Sequence, residues 1–152
     1  MTIYFLRHAD AEDFAKCDFD RKLTPKGLKQ AERVGDFCKR NGIKPEVFLT
    51  SPLVRAHQTA EIVGKKTGVQ PVTADWLACG MTPATLIEKL EPLSPKSSVL
   101  LVGHEPDLST AVSFLLGLPE PGNFPIRKAS LTAIDAPWLE AGSGALDFTI
   151  PP

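Results

Sequence analysis

Four residues in this sequence are of types that handle phosphoryl groups: Arg7, His8, Arg55 and His104. Each stands just past an apolar run. "TIYFLR" ends in Arg7 and leads to His8, "VFLT" precedes Arg55 by a short turn, and "VLLVG" leads directly to His104. A guanidinium fork matches a pair of phosphate oxygens, and the exposed N–H groups and dipole of a helix start add to the same attraction. An imidazole beside them supplies a nucleophilic nitrogen or a hydrogen-bond donor. Singly, each residue has a plainer explanation: an Arg-His pair can cap a strand, a histidine can finish one, and an arginine can be a solvated helix charge. Together on one side of a sheet they make an anion site suited to a dianion such as a phosphoryl group. His57 follows Arg55 by two positions, about 200° round a helix, and is expected to face solvent or a structural partner. A metal centre is disfavoured, because His8 and His104 lack a third His, Cys or carboxylate at ligand spacing and two arginines would repel a cation. Neither G-x-x-x-x-G-K-[ST] nor G-x-G-x-x-G occurs, so nucleotide binding has no motif and no cofactor is expected.

The elements that must position these residues follow a repeated pattern. Residues 2–7, 47–50 and 99–103 are short, continuous apolar runs of the kind found in parallel strands buried on both faces. A helical segment follows each. The first opens on Thr24-Pro25, has Leu28, Ala31, Gly35 and Cys38 on one face, and stops at Asn41-Gly42. The second opens on Ser51-Pro52, carries Ala56, Ala60 and Val63, and closes at Gly68. Thr82-Pro83 starts a third, and Glu105-Pro106 a fourth, with Leu108, Ala111, Val112 and Leu115 on one face. Alternating strand and helix indicate an α/β fold with a mostly parallel sheet. "VQPVT" at 69–73 is expected to add a strand. "ASLTAIDA" and "GALDFTI" alternate with period two and read as an antiparallel hairpin at the sheet edge, while 117–125 reads as a Pro/Gly-rich surface loop. In such a sheet the strand C-termini and helix N-termini share one end, where ligands bind.

The chain's 152 residues, 43% of them hydrophobic, predict one domain spanning 1–152 with one buried core. Seventeen basic and eighteen acidic side chains leave a formal charge of -1, with no broad attraction for nucleic acid or an anionic membrane. The apolar start before Arg7 is too short for a signal peptide or a membrane span, which predicts a cytoplasmic protein. Cys17, Cys38 and Cys79 form an odd, widely spaced set without C-x-x-C and are read as reduced thiols.

"LRHADA", "LTSPLVRAHQTAEIV" and "VLLVGHEPDLS" together resemble the histidine phosphatase superfamily, and the short chain resembles its bacterial phosphohistidine phosphatase (SixA-type) branch. The resemblance runs from residue 2 to about 116. It implies a three-layer α/β/α fold of phosphoglycerate-mutase type, no metal, and a covalent phosphohistidine intermediate. His8 is then the nucleophile, and Arg7, Arg55 and His104 match the catalytic phosphate pocket. Ala9 stands where the wider superfamily has glycine, as in SixA-type members. Thr50 and Ser51 are expected to hold the loop or rim the pocket, with a helix cap the plainer role for Ser51. Mutase-like relatives place an acidic group after the third strand, but no carboxylate lies between Asp75 and Glu88. Two candidates for the general acid remain: Glu105, directly after His104, which could instead only favour the helix dipole, and Asp18, which could be a solvated loop carboxylate. Arg21 could rim the pocket or pair with Asp18 or Asp20. Imidazole leaves phosphorus more readily than an alkoxide, so a vacant acid position favours an N–P bond. The expected partner is a histidine-phosphorylated protein, a phosphotransfer domain or a phosphocarrier. The alternatives are a small-molecule phosphomonoesterase of the same superfamily and a phosphate- or phosphoprotein-binding module without turnover.

Overall fold

A computed structural model of the chain describes residues 1–120 and 124–151. Its centre is a six-stranded sheet: β1 (Thr2–Arg7), β2 (Val47–Thr50), β3 (Val72–Thr73), β4 (Ser98–Gly103), β5 (Leu131–Asp135) and β6 (Ala145–Ile150), in the order β3-β2-β4-β1-β5-β6. The pairs β1–β4, β2–β4 and β2–β3 are parallel, whereas β5 runs antiparallel to β1 and to β6. The C-terminal hairpin therefore forms one edge, as the period-two alternation predicts. Four helices cover the faces: α1 (Pro25–Arg40), α2 (Val54–Thr67), α3 (Pro83–Leu90) and α4 (Asp107–Leu116).

Strand pleating divides the apolar residues between two cores. Ile3, Phe5, Val99 and Leu101 point to α3 and α4, where Leu86, Leu90, Leu108, Ala111 and Leu115 meet them. Leu6, Leu100 and Val102 point the other way, onto Ala31, Val34, Cys38, Ala56, Ala60 and Val63 of α1 and α2. The result is three layers, α/β/α. Among the described residues no helix is long and apolar enough to cross a membrane.

The element starts were predicted with mixed success. Thr24 and Thr82 cap α1 and α3, their hydroxyls accepting from Gly27 N and Thr85 N, with proline at the helix start in both. The second and fourth starts fall later than expected: α2 begins at Val54 with Leu53 as its cap residue, and α4 at Asp107 with Pro106 as its cap residue. In both places the residue before the proline still bonds the helix start from outside the cap position, Ser51 Oγ accepting from Leu53 N and Glu105 Oε1 from Ser109 N. Leu28, expected on the inner face of α1, is exposed, and the buried face is Gly27, Gln30, Ala31, Val34, Gly35 and Cys38. Gly27 sets that rotation, because it packs so closely on the Asp10 carbonyl that a Cβ would collide with it. The strand expected over 69–73 is only Val72–Thr73; Pro71 lacks the N–H that a longer ladder needs. Of the expected loop 117–125, residues 121–123 lie outside the described residues.

Candidate active site

His8 leaves the C-terminal end of β1 and is 6% exposed. Its Nδ1 lies 2.8 Å from the carbonyl oxygen of Ala9, and a carbonyl only accepts. Nδ1 therefore carries the proton, and Nε2 keeps its lone pair. Burial pushes the His8 pKa down to about 3, the Ala9 carbonyl opposes this, and His104, Arg55 and Arg7 add to the lowering. The ring is thus neutral at physiological pH. Backbone bonds hold the turn: His8 N donates to Gly103 O, and Ala129 N donates to the Arg7 and His8 carbonyls at 3.0 and 3.2 Å. Ala129, buried, adopts a positive φ of 57°, a conformation few non-glycine residues take, and no sequence signal marks it.

Two of the other three predicted residues reach the nucleophile directly. Arg55, in the first turn of α2 and only 3% exposed, aims Nε at His8 Nε2, 3.4 Å away. His104, at the end of β4, has its ring centroid 5.2 Å from that of His8. Arg7 donates from Nη1 to the Ile126 carbonyl at 2.9 Å, and its charge acts on both histidines. Arg7 Nε and His104 Nδ1 are buried without a hydrogen-bond partner among the described residues. Buried donors left unpaired are costly, about 1–3 kcal/mol each, so two around one imidazole are the mark of a site built for an anion. His57 is turned away to solvent with Glu61 3.8 Å from its Nδ1, as its helical offset predicts.

Ser51 has a larger part than the expected helix cap. Leu53 N donates to its Oγ at 3.2 Å, and the same oxygen is 2.7 Å from His104 Nε2. The donor of that bond depends on the ring's tautomer: where the Ser51 hydroxyl gives its hydrogen to Nε2, the proton of neutral His104 sits on Nδ1. Burial and the neighbouring Arg55 lower the His104 pKa to about 4, against the pull of Asp18, so this ring is neutral too. Thr50 is buried and donates to the Ser51 carbonyl. Sequence reasoning passed over Thr59, which accepts from Ala9 N at 3.1 Å and donates to the Arg55 carbonyl at 2.7 Å. It ties the nucleophile's turn to the helix of Arg55. Its position four residues after Arg55, on the same helical face, was the available signal.

The two acid candidates sit in opposite environments. Asp18 belongs to a one-turn 3-10 helix, Asp18–Asp20, and grips Arg55 through both its carbonyl (2.8 Å) and Oδ2 (3.1 Å); Arg21 Nε lies 3.0 Å from its Oδ1. Burial is the largest single influence and raises its pKa, but the hydrogen bond and charge of Arg55, with Arg21 and His104, together outweigh it and hold the group below the ordinary value. Asp18 thus stands as the ion-pair partner of Arg55, with its proton held less readily than that of a free aspartate. Arg21 pairs with Asp18, one of its expected roles. Glu105 is half-buried, accepts from Ser109 N at 3.1 Å, and has its pKa raised by burial against the pull of Ser109 and Arg7. It retains a proton more readily than a free glutamate. No cluster of three or more His, Cys, Asp or Glu suited to a metal occurs among the described residues. A cavity of about 620 Å³ at the opposite end of the sheet, lined by Met1, Ile87, Glu91 and Trp138 among others, has no arginine or histidine in its walls.

Known proteins share this architecture. Residues 3–78 match the family described as histidine phosphatase superfamily (branch 1). The chain is 28% identical over its whole length to the phosphohistidine phosphatase SixA of Escherichia coli strain K12, covering 94% of that protein. It is 32% identical to a SixA homologue of Haemophilus influenzae, with 82% of each chain covered. A solved structure of the protein histidine phosphatase SixA complexed with tungstate superposes with a TM-score of 0.85 at 25% identity, covering 99% of this chain and 96% of that one. With a phosphoglycerate-mutase-like α/β sheet, the three predicted motifs meeting at its C-terminal end, and relatives matching nearly end to end, the chain belongs to the histidine phosphatase superfamily, on its SixA-type branch.

Proposed function

We propose that this protein is a phosphatase for phosphohistidine carried on proteins, working through a phosphorylated His8 without a metal. The observation that carries the reading is His8 itself: a neutral imidazole with its Nδ1 proton committed to Ala9 O and an unprotonated Nε2 facing Arg55 Nε, in a pocket where Arg7 Nε and His104 Nδ1 are buried without a partner among the described residues. In the first step Nε2 attacks phosphorus in line, the bond from phosphorus to the substrate nitrogen breaks, and the leaving imidazole takes a proton. Arg7, Arg55 and His104 Nδ1–H carry the charge on the transferring group's oxygens. In the second step water attacks phosphorus, the P–Nε2 bond breaks, and inorganic phosphate leaves with His8 restored. Glu105 suits the proton transfers, giving one to the leaving group and recovering one from the water, because its raised pKa brings it closer to neutrality. A Ser51 hydroxyl donating to His104 Nε2 would leave the Nδ1 proton for the phosphoryl group.

The named activities of the Escherichia coli and Haemophilus influenzae relatives support phosphohistidine as the substrate, and tungstate on the related SixA structure supports an oxyanion pocket. The available acid at Glu105 also fits an ester leaving group, which keeps a small phosphomonoesterase as the second reading. The experiment is dephosphorylation of a histidine-phosphorylated phosphotransfer domain by the wild type and His8→Ala, with p-nitrophenyl phosphate alongside. Turnover of the phosphodomain by wild type, well above the ester and lost by at least 10³-fold in His8→Ala, is the expected result. Preference for the ester would move the substrate to a small molecule. Activity retained in His8→Ala would overturn the mechanism.

A further inference from the structure

Between β1 and α1 the chain makes an excursion that the sheet does not require. The bridge Ala11–Leu23 and the bond from Glu12 N to Lys22 O close its base, and Arg21 Nη1 reaches back to the Glu12 carbonyl. Residues 12–20 within it are all exposed. Its hold on the helices is the grip of Asp18 on Arg55, so its tip overhangs the guanidinium that borders His8. On this strip stand Phe14, 90% exposed, and Phe19, 46% exposed, neither of them a member of either core. The Phe19 Cα is one residue, about 3.8 Å, from that of Asp18. Isolated exposed apolar residues are ordinary, but two phenylalanines on one short segment anchored at the mouth of a reactive pocket are well placed for contact.

We propose that Phe14 and Phe19 form an apolar docking edge for the surface surrounding the phosphohistidine of a folded partner protein, an inference that rests on the phosphoprotein reading above. Charge complementarity fixes the depth of engagement: the phosphoryl dianion must reach Arg7 and Arg55, and a phosphohistidine side chain is short, so the partner's own surface is drawn against the rim. The strip itself offers no strong field to choose a partner. Four carboxylates (Glu12, Asp13, Asp18, Asp20) stand among three cations (Lys16, Arg21, Lys22). Selectivity at this edge is therefore apolar, and large aromatic side chains are the type that concentrates binding energy in protein interfaces. A small phosphate ester brings no surrounding protein surface to the two rings.

The test is steady-state kinetics of the wild type, of Phe14→Ala/Phe19→Ala, and of Phe14→Leu/Phe19→Leu on two substrates, a histidine-phosphorylated phosphotransfer domain and p-nitrophenyl phosphate. Both rings lie outside the cores, so the variants keep the fold, checked by circular dichroism. The expected result is a drop on the order of tenfold in kcat/KM for the phosphodomain in the alanine variant, carried by KM, with ester turnover unchanged and the leucine variant largely restored. Equal losses on both substrates, or none on the phosphodomain, overturn the docking edge while leaving the phosphoprotein reading intact. A wild type inactive on the phosphodomain but active on the ester overturns both. If light scattering shows a dimer that the alanine variant breaks, with phosphodomain kinetics unchanged, the edge belongs to a second copy of this chain and the proposal falls.

Discussion

His8 and His104 are two buried imidazoles that the fold keeps uncharged, and this carries a consequence for acid stability. Their pKa values fall from the ordinary 6.5 to about 3 and about 4, first because burial penalises the charged ring and then because guanidinium groups surround it. The unfolded chain binds protons at these rings near pH 6.5, and the folded chain does not. Stability supported by their neutrality is therefore present above 6.5 and is lost as pH falls toward 4 and 3. Glu105, whose raised pKa lets the folded state bind a proton more readily, works in the opposite sense. Between pH 6.5 and 5 the loss should be roughly 1–2 kcal/mol per histidine. Thermal unfolding at pH 7, 6 and 5 checks this: the melting temperature of the wild type should fall across the series, and that of His8→Gln/His104→Gln should fall much less. Equal slopes would mean that the two rings are already charged in the folded protein. The same neutrality suits Nε2 for attack, so the cost in acid and the reactivity have one origin.

At the scale of elements, the closest fit is where α1 meets the turn after β1. Gly27 lies against the Asp10 backbone, with Thr24 Oγ1 donating to Asp10 Oδ2 at 2.8 Å and Gln30 Oε1 accepting from Asp10 N at 2.9 Å. Gly27→Ala would force the helix start away from that turn. It should lower stability by about 2 kcal/mol or more, measured by urea unfolding, and should also depress turnover because Ala9 and His8 share the displaced backbone. A fully stable and active Gly27→Ala would show that the helix start slides without resistance. Much of this element plan was legible from the order of residue types. Continuous apolar runs marked three buried strands, and Thr-Pro pairs marked the starts of α1 and α3, where the threonine is itself the cap residue and its hydroxyl accepts from the first turn. Ser51-Pro52 and Glu105-Pro106 misled about where the helices begin, because each side chain also serves the site: Ser51 Oγ bonds His104 as well as Leu53 N, and Glu105, which accepts from Ser109 N, lies in the field of Arg7. Local capping rules fail where a side chain is used in the pocket. The four central residues were readable because each ends or follows an apolar run. Thr59, the Ile126 carbonyl and Ala129 act through partners distant in sequence, and spacing does not announce them.

For the whole molecule, an oxyanion that binds the folded state alone should stabilise it by mass action. Tungstate at about a hundred times its dissociation constant should add about 2.7 kcal/mol and raise the melting temperature by about 5–10 °C in a chain of this size. Arg55→Ala should lose most of that rise, whatever its own starting temperature. A similar rise in both proteins would place the anion elsewhere. The order of the sheet has a further bearing, on how the chain is made. β1, which bears Arg7 and leads to His8, lies between β4 and β5, whose residues begin only at Ser98 and Leu131. At about 5–20 residues per second, a ribosome delivers β1 roughly 5–20 seconds before its first lateral neighbour, and the second comes later still. For that interval Ile3, Phe5 and Leu6 have no sheet to enter, so the newborn chain exposes its most central strand longest and is at that stage a ready client for a chaperone.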